Sequence, residues 1–260
     1  MYELQVKPNY KISFSIVCCL LSIACFSHAQ TNVKDSTLTF SMARFSYAFQ
    51  LPGENLAKRF GNNSNTGLDF SIKTKRNFIF GANGSLLFGN QINENGILDS
   101  LKNSSGFIIN QNGIPSTVRL FERGFIVSLY FGKMFHVLAP NPNSGIVIYG
   151  GTSYMYHKIK INDIGHQAPQ LTDGYLKGYD RLSAGFGLHE FIGYFYLGNS
   201  RIINFFGGIE LIQGFTKSLR GYNYDLRQPD TASRKDFFYG LRVGWILPLY
   251  KALPQQFYYY

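Results

Sequence analysis

Ser153, His157, His189 and Glu190 are the side chains of this 260-residue chain best suited to hydrolytic chemistry. A hydroxyl nucleophile needs a histidine within hydrogen-bond reach and a third group to orient that histidine. Ser153 and His157 stand about 13 Å apart along an extended strand, too far to bond each other directly. His189 and Glu190 are adjacent, and no acid–base–nucleophile constellation repeats in the sequence. His136 and His166 fall in connections with no partner at metal-ligand spacing, and His28 lies in the leader. No catalytic, metal or cofactor site is therefore expected. A second group, Glu210, Arg242, Asp69, Lys73 and His189, places polar and ionisable side chains inside largely apolar runs, where a lone charge is expensive and pairing is expected.

The segments that carry these residues alternate with a period of two. Leu68, Phe70 and Ile72 alternate with Asp69, Ser71 and Lys73; Phe78, Phe80, Ala82, Leu86 and Phe88 with Gly81, Asn83 and Ser85. The same pattern runs through Phe125–Phe131, Ile146–His157, Arg181–His189, Ile203–Leu211 and Phe237–Leu247. An earlier run, Leu38 to Phe49, changes phase at Ala43-Arg44, which a β-bulge would explain. Eight strands result. One face of each is apolar and the other is mostly Gly, Ser and Asn with one or two charges. A lipid-facing barrel requires that division, because backbone groups must pair internally and no sheet edge can stay open in hydrocarbon. The fold class is thus all-β, an eight-stranded antiparallel up-and-down transmembrane β-barrel. A soluble sandwich or lipocalin-like barrel is the alternative. It leaves unexplained why so much aromatic surface lies opposite the polar face. Glu190 falls on the lipid phase, so a bulge near His189 is expected to turn it inward.

Connection lengths point the same way. Gln50–Thr66, Gln91–Phe121, Lys160–Tyr179 and Lys217–Lys235 are long, whereas Lys75–Asn77, His136–Ser144 and Gly198–Ser200 are short. Long loops outside, short turns inside and periplasmic termini make up the outer-membrane topology. The apolar stretch Ile12–Phe26, preceded by Lys7 and Lys11 and followed by Ser27-His28-Ala29, reads as a secretory leader. Residues 1–29 are then a cleaved signal, 30–250 the barrel and 251–260 a periplasmic tyrosine-rich tail. A membrane-spanning helix and a lipid-modified Cys25 are the competing readings of the leader. All three cysteines lie in its first 25 residues, so no disulfide can brace the exported fold. Aromatics at 17% and charged residues at 15%, against roughly 25% charged in soluble domains, exclude a disordered chain.

On this architecture the chain resembles the outer-membrane β-barrel proteins of Bacteroidota, a group that includes the PorT-like proteins linked to type IX secretion. The particular segments are Leu51–Gly61, Lys177–Leu182 and Gly244–Tyr250. The spacing Arg242-x-Gly244-x-x-Leu247-x-Leu249 is also similar to a C-terminal barrel-insertion signal. The resemblance implies outer-membrane residence and a role as accessory or structural component of an envelope or secretion complex. It carries over no site residue.

Two function classes follow. One is that non-enzymatic accessory barrel. The other is a surface binding or adhesion barrel working through Gln91–Phe121, whose Phe107, Ile108, Ile109 and Ile114 are unusually apolar for a solvated loop. A lipid A-modifying enzyme is the third and least favoured. The net charge of +10 is dispersed and carries no nucleic-acid motif. Lys58, Arg59, Lys160, Lys177, Lys217, Arg220, Arg227 and Arg234, with Lys158 at a strand rim, are instead expected to contact anionic lipopolysaccharide. An eight-stranded interior is just wide enough for side chains to fill, so a solute channel is disfavoured. Glu210 and Arg242 are expected to form an ion pair within it.

Overall fold

Runs of alternating side chains become strands when each face has its own environment, and here the two faces differ throughout. The computed structural model describes residues 36–165, 168–198 and 203–249; the leader, Cys25, His166 and the tail 251–260 lie outside these. The strands are β1 (Phe40–Gly53), β2 (Asn63–Lys73), β3 (Phe78–Gly89), β4 (Thr117–Phe135), β5 (Gly145–Ile164), β6 (Ser183–Leu197) and β7 (Asn204–Ser218). After β7 a two-residue ribbon, β8 (Tyr222–Asn223) with β9 (Gln228–Pro229), precedes the long β10 (Ser233–Leu249). Sequential antiparallel pairing from β1 to β7, then β7 with β10 and β10 with β1, closes an eight-stranded barrel.

At one end the connections 74–77, 136–144 and 198–203 have nine residues or fewer; at the other end 54–62 also has nine, while 90–116, 165–182 and 219–232 are long. Several strands outrun their sequence patterns. A tilted strand needs roughly 9–11 residues to cross a bilayer, whereas β4 has 19 and β5 has 20. The surplus of these two strands continues as a two-stranded ribbon at the long-loop end, from Phe121↔Lys160 to Thr117↔Ile164. Among the described residues no helix is long and apolar enough to cross a membrane.

The outer face is a continuous apolar band. Phe45, Tyr47, Phe49, Leu68, Phe70, Phe80, Leu86, Val127, Leu129, Phe186 and Leu241 are all more than a third exposed. Stacked cross-strand pairs such as Phe125–Tyr156 and Tyr196–Phe205 reinforce it. Phe238, between the outward Phe237 and Tyr239, points inward and is buried.

Two register expectations are corrected. β1 carries no bulge: its partners run without a break from Phe40↔Lys73 to Gln50↔Asn63. The apparent phase change arises because Phe40 and Met42 are apolar residues facing inward, where they fill the short-turn end of the barrel. β6 has no bulge at His189 either, since Gly187↔Gly214 to Phe191↔Glu210 is unbroken. His189 faces the interior, and Glu190 stays on the outer face between Leu188 and Ile192. Its carboxylate sits in an apolar depression floored by Gly150, its partner on β5, and flanked by Phe131, Ile192 and Leu211.

The interior is less uniformly small than the pattern suggests. Near the short-turn end Tyr130, Tyr149, Phe191, Phe195 and Phe206 all point inward. Glycines make room for them. A side chain at Gly81 would overlap the Tyr130 phenol, and one at Gly208 would meet the Phe191 ring. Toward the long-loop end Leu87, Ile126, Met155, Ile212 and Phe238 form an apolar layer continuous with loop residues Leu56, Phe60, Ile97, Ile108, Leu171 and Tyr179. The long loops therefore share a core with the barrel mouth.

Candidate functional site

Inward positions of neighbouring strands meet in the lumen, and their charges pair in tiers. At the short-turn end Lys73 donates to the Asn143 side chain at 3.0 Å, and Asn143 also anchors the backbone of Ser36 and Leu38. One tier up, Arg44 donates through Nε to Asp69 Oδ1 at 2.8 Å, and the Tyr130 hydroxyl donates to Asp69 Oδ2 at 2.7 Å. The Arg44 guanidinium also bonds Tyr130 and lies 4.9 Å from the ring centres of both Phe195 and Phe206. A cation enclosed by aromatic faces is well stabilised only when desolvated, and Arg44 is 1% exposed.

The central tier is built on Glu210. Arg242 donates to its two oxygens at 2.7 and 3.0 Å, the bidentate geometry that suits guanidinium and carboxylate. His189 Nε2 lies 2.8 Å from Oε1, and Gln50 donates to Oε2 at 3.0 Å. Arg242 spends its remaining reach on Ser46 and Asn65. Glu210, Arg242 and His189 are thus brought together, as their inward phase implies. Asp69 and Lys73 belong to separate tiers.

The tier nearest the long loops was not foreseen. Asp236, fully buried, accepts from Arg59 Nη2 at 2.6 Å and from Thr216, and lies 3.1 Å from His157 Nε2. Arg59 arrives from the β1–β2 loop, whose helical turn Glu54–Ala57 folds back so that Leu56 and Phe60 enter the barrel mouth. Phe60 packs edge-on against His157, ring centres 5.4 Å apart. Arg59 is 7% exposed, which removes it from the cations expected at the surface. Arg220 and Arg234 are likewise engaged, with Asp180 and Asp230. Lys58, Lys160, Lys177, Lys217 and Arg227 are exposed.

The geometry forms no nucleophile–base pair around the sequence candidates. Ser153 Oγ is buried without a partner among the described residues, and His157 turns to Asp236 instead. A catalytic histidine stands between acid and hydroxyl; here the acid, Asp236, stands between His157 and Thr216. Nor do the described residues hold any cluster of three His, Cys, Asp or Glu side chains with metal-binding geometry. These groups fasten elements together.

The loops form an ordered cap. Arg181 bridges Glu94 at 2.6 Å and Asp225, joining three connections, and Arg220 is paired with Asp180. Of the apolar loop residues, Ile108 is buried in the shared core and Ile109 is half-buried, while Phe107 and Ile114 are 52% and 58% exposed. The turn between them is pinned by the Asn110 side chain, which accepts from the backbone of Asn112 and Ile114.

Asp230 makes this cap sensitive to acid. Burial would raise its carboxyl, but the hydrogen bond and charge of Arg234, with Asn223 and the charge of Arg181, outweigh burial and hold it below the usual carboxylate range. A depressed carboxyl stabilises the fold fully above its unfolded pKa and ceases to do so as pH falls through the folded value. The protection of the Asp230 N–H, which donates to Gly221 O at 3.0 Å, measured against its intrinsic exchange rate at each pH, is therefore expected to fall in acid below the ordinary aspartate range. Asp230→Asn should remove that pH step.

Comparison with solved structures finds barrels at low identity. Ail, the attachment invasion locus protein of Yersinia pestis, aligns at TM-score 0.39 and 10% identity over 79% of this chain and 97% of its own. The same protein in complex with the heparin analogue sucrose octasulfate aligns at 0.37 and 12%, over 80% and 98%. The outer membrane protein OprG from Pseudomonas aeruginosa aligns at 0.36 and 11%, over 82% and 98%. No family model matches the chain, and no curated protein does. The likeness to PorT-like proteins therefore stays a resemblance carried by the segments quoted above.

Proposed function

We propose that the protein is a non-enzymatic outer-membrane barrel that presents its ordered loop cap as a binding surface outside the cell. The carrying observation is the exposure of Phe107 and Ile114 on a turn held rigid by Asn110, above a cap cross-braced by Arg181. Ordered apolar residues held in solvent carry an energetic cost that binding would remove. The membrane reading is supported by the apolar outer band and the complete closure of the sheet. With that topology the short turns face the periplasm and the long loops the exterior. The tiers of ion pairs filling the lumen argue for a sealed interior, and the use of His157 and His189 as partners of buried carboxylates supports a structural role for both.

The accessory role in an envelope or secretion complex, which the Bacteroidota resemblance implies, would use the same cap or the short-turn face. Phe107→Ser with Ile114→Ser tests the surface reading. Cells carrying the double variant are expected to lose attachment to host or matrix surfaces, while the barrel keeps its heat-modifiable gel mobility. Unchanged attachment with lost protein secretion would reject the adhesion reading in favour of the secretion complex.

A further inference from the structure

The outward rows of β4 and β5 change character at one level. Below it stands the stacked pair Phe125–Tyr156, ring centres 4.9 Å apart. Directly above, Arg123 is paired across the strands with Lys158, then Phe121 with Lys160, then Arg119 with Asn162. Rows are about 7 Å apart along the strands and the strands about 4.8 Å apart, so four cations share one small patch on the outer face. Among the described residues none of Arg119, Lys158 and Lys160 has an ion-pair partner, and Arg123 donates only to the carbonyls of Gly89 and Glu122. The nearby acids cannot help. Glu122 points into the lumen and bonds Asn63, while Asp163 is held by Ser116 and the Ala168 N–H.

Two cations directly opposite on neighbouring strands destabilise a sheet unless an anion lies between them. We propose that Arg119, Arg123, Lys158 and Lys160 form a binding site for the phosphorylated sugar headgroup of an outer-leaflet lipid. This rests on the membrane reading above. Three observations select a lipid over a soluble anion. The patch begins where the apolar band ends, so acyl chains lying on Phe125, Tyr154 and Val127 would carry a headgroup to it. Phe121, half-buried between the charged rows and 4.9 Å from the Arg123 guanidinium, offers the edge of a ring against which a sugar can lie. A crevice of about 670 Å³ opens beside Lys158 and Lys160, walled by Asn162, Thr172 and Leu176 and also by Asp163 and Asp180, the latter already paired with Arg220; it is the size of a small-ligand site. Arginine forks suit phosphate oxygens in two-point contact.

The test uses the full barrel in phosphatidylcholine nanodiscs, with bound lipid counted by native mass spectrometry. The probes are bisphosphorylated lipid A, its dephosphorylated form and inorganic pyrophosphate. Wild type is expected to retain lipid A and not the dephosphorylated form. Arg123→Gln with Lys158→Gln should weaken retention roughly tenfold or more. Lys75→Gln with Arg76→Gln, exposed cations on the β2–β3 turn at the other end of the barrel, should leave it unchanged. Equal loss in both double variants, equal retention of the dephosphorylated lipid, or full displacement by pyrophosphate would each overturn the proposal. Folding is read by gel mobility, and the single variants Arg119→Gln and Lys160→Gln replace the double one if it misfolds. A barrel that enters the disc but retains no lipid A defeats this site alone, whereas one that fails to enter defeats the membrane reading.

Discussion

Glu210→Ala is expected to destabilise the barrel by about 3–5 kcal/mol, the range found when one member of a buried ion pair is removed. Four donors converge on this carboxylate from β1, β6 and β10: Gln50, His189 and two nitrogens of Arg242. The alanine leaves the Arg242 guanidinium 2% exposed, with only Ser46 and Asn65 to satisfy it. The cost is thus mostly that of a stranded charge. Removing both charges with apolar residues of similar volume should cost far less than the two single changes added together. Urea titration of the refolded barrel in lipid, followed by heat-modifiable mobility, measures all three variants. Additive losses would mean that the pair is not coupled, and the tiered lumen would have to be abandoned as the source of rigidity.

The Glu210–Arg242 pairing could be read from the sequence because both residues sit in clean period-two segments whose apolar faces are unambiguous. Where both faces of a strand carry apolar residues, alternation loses its phase. That is why Phe40 and Met42 imitated a bulge and concealed Arg44, the partner of Asp69. The signal was available in the register, since Arg44 stands directly opposite Asp69 once the bulge is dropped. Glu190 misled for a different reason. A carboxylate facing lipid is costly, so an inward bulge looked cheaper than the depression beside Gly150 that receives it. Loops were the least legible part. Nothing in the spacing of Lys58, Arg59 and Phe60 says that the first stays in solvent while the other two enter the barrel mouth, because that depends on how a whole connection folds back. Asp236 was overlooked because the last run was started at Phe237, four residues after β10 begins at Ser233. Extending the inward phase of Phe238 and Arg242 backward by two residues would have placed it inside.

That folded-back loop supplies the second large effect. Asp236→Ala is expected to cost about 3–5 kcal/mol and, unlike the change at Glu210, to act first on the loop. Asp236 joins Arg59 of the β1–β2 connection to His157 of β5 and Thr216 of β7. Without it the guanidinium loses the carboxylate that draws the loop inward, and Leu56 and Phe60 keep only their apolar contacts. Arg59→Ala releases the loop as well, but it leaves Asp236 still bound by Thr216 and close to His157, so its cost to the barrel should be smaller. Limited proteolysis separates the two. Both variants should become cleavable within 54–62 while wild type resists, and only Asp236→Ala should also show a large fall in urea resistance. If instead Arg59→Ala leaves the loop protected, burial of Leu56 and Phe60 is sufficient to hold it. The ion pair would then be a consequence of loop docking, and the loop should stay docked even when Asp236 is removed.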